Sequence, residues 1–141
     1  MTTELPLGTG RPIFHLAIPC RDLAEALAFY VDGLGAELGR HNEQRAILNF
    51  FGGQLVCHLN PEACPSQPPS MYPRHFGISF MDLASYEATL ERVRAIEGVR
   101  WFREPFERYR GCLEEHRSFF ILDPSNNLVE FKWYRNAESI Y

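Results

Sequence analysis

Ile13-Phe14-His15-Leu16-Ala17-Ile18 alternates, with Phe14, Leu16 and Ile18 on one face and His15 and Ala17 on the other, which predicts a strand. Asp22-Leu23-Ala24-Glu25 then opens a helix. Asp22 sits at the N-cap and Glu25 at the capping-box position, while Leu23, Leu27 and Tyr30 form an apolar stripe that ends at Gly33 and Gly35. Strands are predicted at 36–40, 46–50 and 54–59, the last two joined by a turn at Gly52-Gly53. From Arg74 the pattern begins again: Phe76, Ile78 and Phe80 face one way and His75, Gly77 and Ser79 the other. A second helix starts at Asp82-Leu83-Ala84 and carries Leu83, Tyr86, Leu90 and Val93 on one side until Gly98. His15 to His75 and Asp22 to Asp82 are both 60 positions apart, so the chain reads as one strand-helix-three-strand module written twice.

Module one covers about 12–60 and module two about 74–134, making a single domain at 12–134 with an N-terminal arm at 1–11 and a tail at 135–141. Between the modules, 60–73 holds five prolines and reads as an irregular linker. The segment 104–111 has no counterpart of equal length in module one. It precedes strands predicted at 116–122 and 128–133, separated by the turn Asp123-Pro124-Ser125-Asn126-Asn127.

The net charge of −4 comes from acidic and basic residues intermixed along the chain, with no basic stripe to neutralise phosphates, which argues against nucleic acid as a partner. No apolar run reaches the length of a membrane span, and the N-terminus lacks a basic start and apolar core, so a cytoplasmic protein without a membrane partner is expected. Cys20, Cys57, Cys64 and Cys112 form no CxxC pair and are expected to be reduced packing residues.

His15, His75 and Glu130 are metal-ligand types placed inside strands whose neighbours form a core. Two imidazoles and a carboxylate compose a facial triad, which holds a divalent cation and leaves positions open for a small-molecule substrate. The pleat extends the argument. Val129, Phe131 and Trp133 cover the helix, leaving Glu130 and Lys132 on the other face; Leu55, Cys57 and Leu59 do the same, leaving Gln54, Val56 and His58. On this reading His58 answers to Glu130, and the four corners His15, His58, His75 and Glu130 face one cleft. The fold class is α+β, two tandem βαβββ modules forming a curved mixed sheet around a metal cleft with the helices outside. Arg108, Tyr109, Glu115 and His116 either line the mouth, where Arg108 suits a carboxylate, or form a solvated loop with surface ion pairs. Gln54 is a candidate behind the ligands, and Phe50, Phe51, Phe119 and Phe120 belong to the core or to an apolar substrate wall.

The tandem modules, an inward His on each first strand and Asp123-Pro124-x-Asn-Asn-Leu-Val-Glu130 resemble the vicinal oxygen chelate superfamily, which includes glyoxalase I, extradiol dioxygenases and fosfomycin-resistance enzymes. Phe14-His15-Leu16-Ala17, Asn49-Phe50-Phe51-Gly52, Pro73-Arg74-His75-Phe76-Gly77 and Leu128-Val129-Glu130-Phe131-Lys132 resemble more narrowly the bacterial group described as predicted extradiol dioxygenases. That resemblance implies Fe(II) on His15, His75 and Glu130, with Mn, Ni, Co or Zn as alternatives, and His58 as the catalytic proton carrier for a catechol-like substrate. Glyoxalase I has a Glu as its fourth ligand, where this sequence is read as offering His58. The resemblance also implies a homodimer, in some members with ligands drawn from both subunits. A lyase, isomerase or thiol transferase on another divalent metal, and a metal-free binder like the bleomycin-resistance proteins, are the alternatives.

Overall fold

The computed structural model describes residues 12–141, so the arm expected at 1–11 lies outside the described residues. Strand β1 (His15–Cys20) leads into helix α1 (Leu23–Leu27), which widens into a π-helical turn at Ala28–Gly33. Strands β2 (Glu37–His41), β3 (Arg45–Phe50) and β4 (Gly53–Leu59) complete the first module. The second repeats the order with β5 (Phe76–Phe80), α2 (Leu83–Arg94), β6 (Arg100–Arg108), β7 (His116–Leu122) and β8 (Leu128–Tyr134). Both predicted caps are made: the Asp22 carboxylate accepts from the Glu25 amide and the Asp82 carboxylate from the Ser85 amide. Glu25 itself turns to Arg21, 2.9 Å away, rather than back to the cap.

Each module forms a four-stranded sheet, in the orders β1-β4-β3-β2 and β5-β8-β7-β6, with only the first and fourth strands of a module parallel. The segment around 104–108, which shows no clean alternation in sequence, continues β6 along β7 through two register shifts, at Trp101/Arg103 and Arg103/Phe106. The linker starts with a 3₁₀ turn at Pro61–Ala63, capped by Asn60.

One apolar core serves both halves. Tyr30, Leu48 and Cys57 of the first module meet Val93, Phe119, Val129 and Phe131 of the second, all essentially buried. Burying a side chain of this size stabilises the fold by about 1.5–3 kcal/mol. Contacts run in both directions between the modules. The β3–β4 turn places Phe51 against Phe80 and Phe131, with ring centroids 5.5 and 6.0 Å apart. The β7–β8 turn receives the Tyr30 hydroxyl on Asp123 Oδ2 at 2.7 Å, and Asn127 Nδ2 donates to the Pro19 carbonyl at 2.9 Å. Four donors reach the Asp123 carboxylate: Tyr30, the Ser125 and Asn127 amides, and the Asn127 side chain.

The four thiols are free, with Cys20 and Cys57 buried in this core. Burial pushes Cys20 up to about 11 and Cys57 up to about 12, which keeps both protonated and unreactive at neutral pH. β1 and β5 stand at the ends of their sheets, each bonded on one side only. Between them lies a groove of about 330 Å³ lined largely by Phe14, Leu16, Phe51, Phe76 and Ile78, with Phe14 76% exposed.

Candidate metal centre

The second module brings two of the predicted ligands together. His75 precedes β5 and Glu130 lies in β8, with Nε2 and Oε1 3.2 Å apart and both side chains largely shielded. The Nδ1–H of His75 donates to the Met71 carbonyl at 2.5 Å, because that oxygen can only accept. In the neutral ring, Nε2 is then a lone pair aimed at a carboxylate oxygen. The other oxygen, Oε2, accepts from the Ser118 hydroxyl at 2.5 Å. Two acceptors facing each other repel unless a cation lies between them, a proton or a metal ion. The separation suits a metal, since two cis donors each about 2.1 Å from a shared ion stand roughly 3.0 Å apart.

Gly77 sets this geometry from below. It pairs with Glu130 in the parallel β5–β8 ladder, and a Cβ at this position would run into the Glu130 backbone, 2.6 Å from its carbonyl carbon and 2.9 Å from its amide nitrogen. The absence of a side chain lets β5 and β8 approach. Around the pair, the Phe120 ring lies 5.3 Å from His75, and Phe106 stacks on Phe120 at 6.3 Å. Met71, Phe102, Leu122 and Leu128 join them in a small apolar cluster that is separate from the main core.

His15 is presented in the same manner on the first module. Gln54, its register partner, accepts from Nδ1 at 2.8 Å, which leaves Nε2 free. Gln54 therefore stands behind a predicted ligand. Among the described residues, however, no group of three His, Cys, Asp or Glu side chains converges on a cation, so the chain alone joins His75 with Glu130 but does not add His15.

The register corrects one correspondence. With the modules offset by 60, Ala17 pairs with Val56 just as Gly77 pairs with Glu130, and Pro19 pairs with His58 just as Ser79 pairs with Lys132. Val56, not His58, occupies the position of Glu130. His58 does keep the expected face, exposed, on the side of the sheet that carries His15 and Gln54.

Of the remaining candidates, Arg108 and His116 pair across β6 and β7 on the face that bears Glu130. Tyr109, 57% exposed, lies 5.9 Å from the His116 ring. Glu115 is engaged elsewhere: it accepts from the Gly111 amide at 2.8 Å and pairs with Arg135 at 2.5 Å, and these contacts, in that order, hold its carboxyl below the usual range. Ser118, fully buried, is not among the residues singled out from sequence; its signal there is slight, a small polar residue at the head of the apolar run 119–122.

Tandem modules around a paired imidazole and carboxylate define a vicinal-oxygen-chelate protein. The family model for the Glyoxalase/Bleomycin resistance protein/Dioxygenase superfamily matches residues 13–131, and the chain belongs to that family. It is similar to a glyoxalase/bleomycin resistance protein/dioxygenase from Alicyclobacillus acidocaldarius, with 45% identity, 92% of this chain and 96% of that one covered, and a TM-score of 0.85. It also matches a glyoxalase domain-containing protein of Mycosarcoma maydis at 25% identity, over 91% of this chain and 71% of the relative. The fosfomycin resistance protein FosX of Listeria monocytogenes shares the fold at 19% identity, a TM-score of 0.68 and coverage of 92% and 98%. No helix among the described residues is long and apolar enough to cross a membrane.

Proposed function

We propose that the chain is a metal-dependent enzyme that works as a homodimer, each site built from His75 and Glu130 of one copy and His15 of the other. The observation that carries this is the 3.2 Å approach of His75 Nε2 to Glu130 Oε1, an imidazole and a carboxylate set as two donors to one cation would be. The open edges of β1 and β5 and the apolar groove between them support a second copy as the source of His15.

The reading extends to Fe(II) and extradiol-type cleavage of a catechol-like substrate. Val56 at the counterpart of Glu130 supplies no fourth donor, and a two-histidine, one-carboxylate set with open positions is the ligand chemistry of non-haem Fe(II) oxygenases. A cation held by His75, Glu130 and the other copy's His15 would lower the pKa of a chelating hydroxyl and, as Fe(II), would supply the redox chemistry that O2 requires. The protein's own contributions are separate. Met71 and Gln54 orient the imidazoles, Ser118 orients the carboxylate, and the Phe120–Phe106 wall excludes water. His58 is the proton carrier, an imidazole being able to accept a proton and return it.

The test is metal content after anaerobic loading with Fe(II), beside His15→Ala and His75→Ala, followed by O2 uptake with catechols. The expected result is one metal per chain, none in either variant, and recovery of half the sites when the two variants are mixed into heterodimers. Metal binding without substrate-dependent O2 uptake replaces the dioxygenase with a lyase, isomerase or thiol transferase using Mn, Ni, Co or Zn. Unchanged metal content in the variants removes the triad.

A further inference from the structure

Strands β6 to β8 sort their charges by face. On the helix side, Arg117 is paired, 3.0 Å from Glu107 and 3.9 Å from Glu87 of α2. On the side of the metal centre the ladder sets Arg108 beside His116 and Tyr134, Phe106 beside Ser118 and Lys132, and Arg103 beside Phe120 and Glu130. Three cations thus share a face with one carboxylate, and that carboxylate is already held by His75 and Ser118.

None of the three has an acidic partner among the described residues, and each rests on a ring instead. The Arg103 guanidinium lies 3.6 Å from the Phe106 centroid, Arg108 lies 5.4 Å from the same ring, and the Lys132 ammonium lies 5.3 Å from the Tyr134 ring. The nearby acids do not compensate. Glu107 belongs to Arg117, Glu115 to Gly111 and Arg135, and Glu104, in the bulged stretch of β6, is exposed and forms no ion pair among the described residues. A chain with 18 acidic against 14 basic residues therefore carries a locally positive wall beside its metal centre.

We infer that the substrate of this face is an anion: an apolar body beside the partly exposed Phe106 that carries an oxyanion, carboxylate or phosphoryl, held by Arg103, Arg108 and Lys132. Guanidinium forks match the planar or tetrahedral oxygens of such groups, and the rings keep the cations in place before the ligand arrives. The inference rests on the cleft being the active site, and it names the class of molecule that enters.

The test has two arms. Titration calorimetry on metal-free protein compares benzoate and phenyl phosphate with neutral benzyl alcohol at low and high salt. Both anions should bind about tenfold more tightly than the alcohol, the discrimination worth one paired charge. The advantage should shrink in high salt and vanish in the double variant Arg103→Gln, Arg108→Gln. The anion that binds more tightly identifies the oxyanion. On metal-loaded protein, 3,4-dihydroxybenzoate should be preferred to catechol by a similar factor in wild type and by none in the double variant, with metal content unchanged. Equal affinity for anions and alcohol, or a preference that survives the double substitution, overturns the inference. Failure to load metal while the anion preference stands sinks the proposed chemistry alone.

Discussion

Replacing Ser118 by Ala removes one contact from the proposed metal centre and leaves the proposed ligands, His75 and Glu130, in place. The hydroxyl is fully buried and donates to Glu130 Oε2 at 2.5 Å, a short bond to a charged acceptor. Bonds of that kind contribute about 1.5–3 kcal/mol. At about 1.4 kcal/mol per factor of ten, losing the bond weakens metal affinity roughly 10- to 100-fold. Global stability should move less, because the Glu130 side chain is still 12% exposed and water can replace part of the lost donor. The assay is competitive titration of the divalent metal against a chromophoric chelator, with thermal melting of the metal-free proteins as the control. Ser118→Cys, which keeps a weaker donor, should fall between wild type and Ser118→Ala. Unchanged metal affinity in a folded Ser118→Ala protein would refute the argument that this hydroxyl orients a ligand.

Gly77→Ala should lower the melting temperature sharply or prevent folding, since its Cβ has to displace the Glu130 backbone; the expected loss, measured by chemical denaturation, is about 3 kcal/mol or more. Tyr30→Phe takes one of four donors from buried Asp123 and should cost about 1.5–3 kcal/mol in urea unfolding; a change within error would mean that water fills the gap. Glu115 gives a pH signature. Its carboxyl is held below the usual range, so its contribution is complete above the unfolded pKa of about 4.3 and disappears as the pH falls through the lower folded value. Hydrogen exchange at the Gly111 amide should accelerate over that acidic window in wild type and be fast throughout in Glu115→Gln.

The elements legible in sequence were those whose signal is local. The two caps at Asp22 and Asp82 and the alternation through 128–133 correctly located both helix starts and the face of Glu130. Alternation fixes a face but not a register, because a slip of two residues leaves every side chain on the same side. That is why His58 was placed on the correct face yet matched to Glu130, when hydrogen bonding pairs Ala17 with Val56. β6 was obscured differently: its two register shifts break the period of two, and Pro105 falls inside it. The Met71 carbonyl was beyond reach, since a backbone acceptor has no side-chain identity to read. Ser118 offered only its place at the head of the apolar run 119–122, without the 60-residue recurrence that singled out His75.

The two inter-module turns are equivalent in position and opposite in chemistry. Each links the third and fourth strands of its own half and reaches across to the other, Phe51 as an aromatic wedge and Asp123 as a hub of polar bonds. In an assembly of two identical chains, one sequence has to satisfy both sides of such an exchange. Joining the halves in one polypeptide lifts that restriction. One turn is apolar and the other polar, and the same freedom allows one corner of the sheet to carry an acid where its twin carries valine.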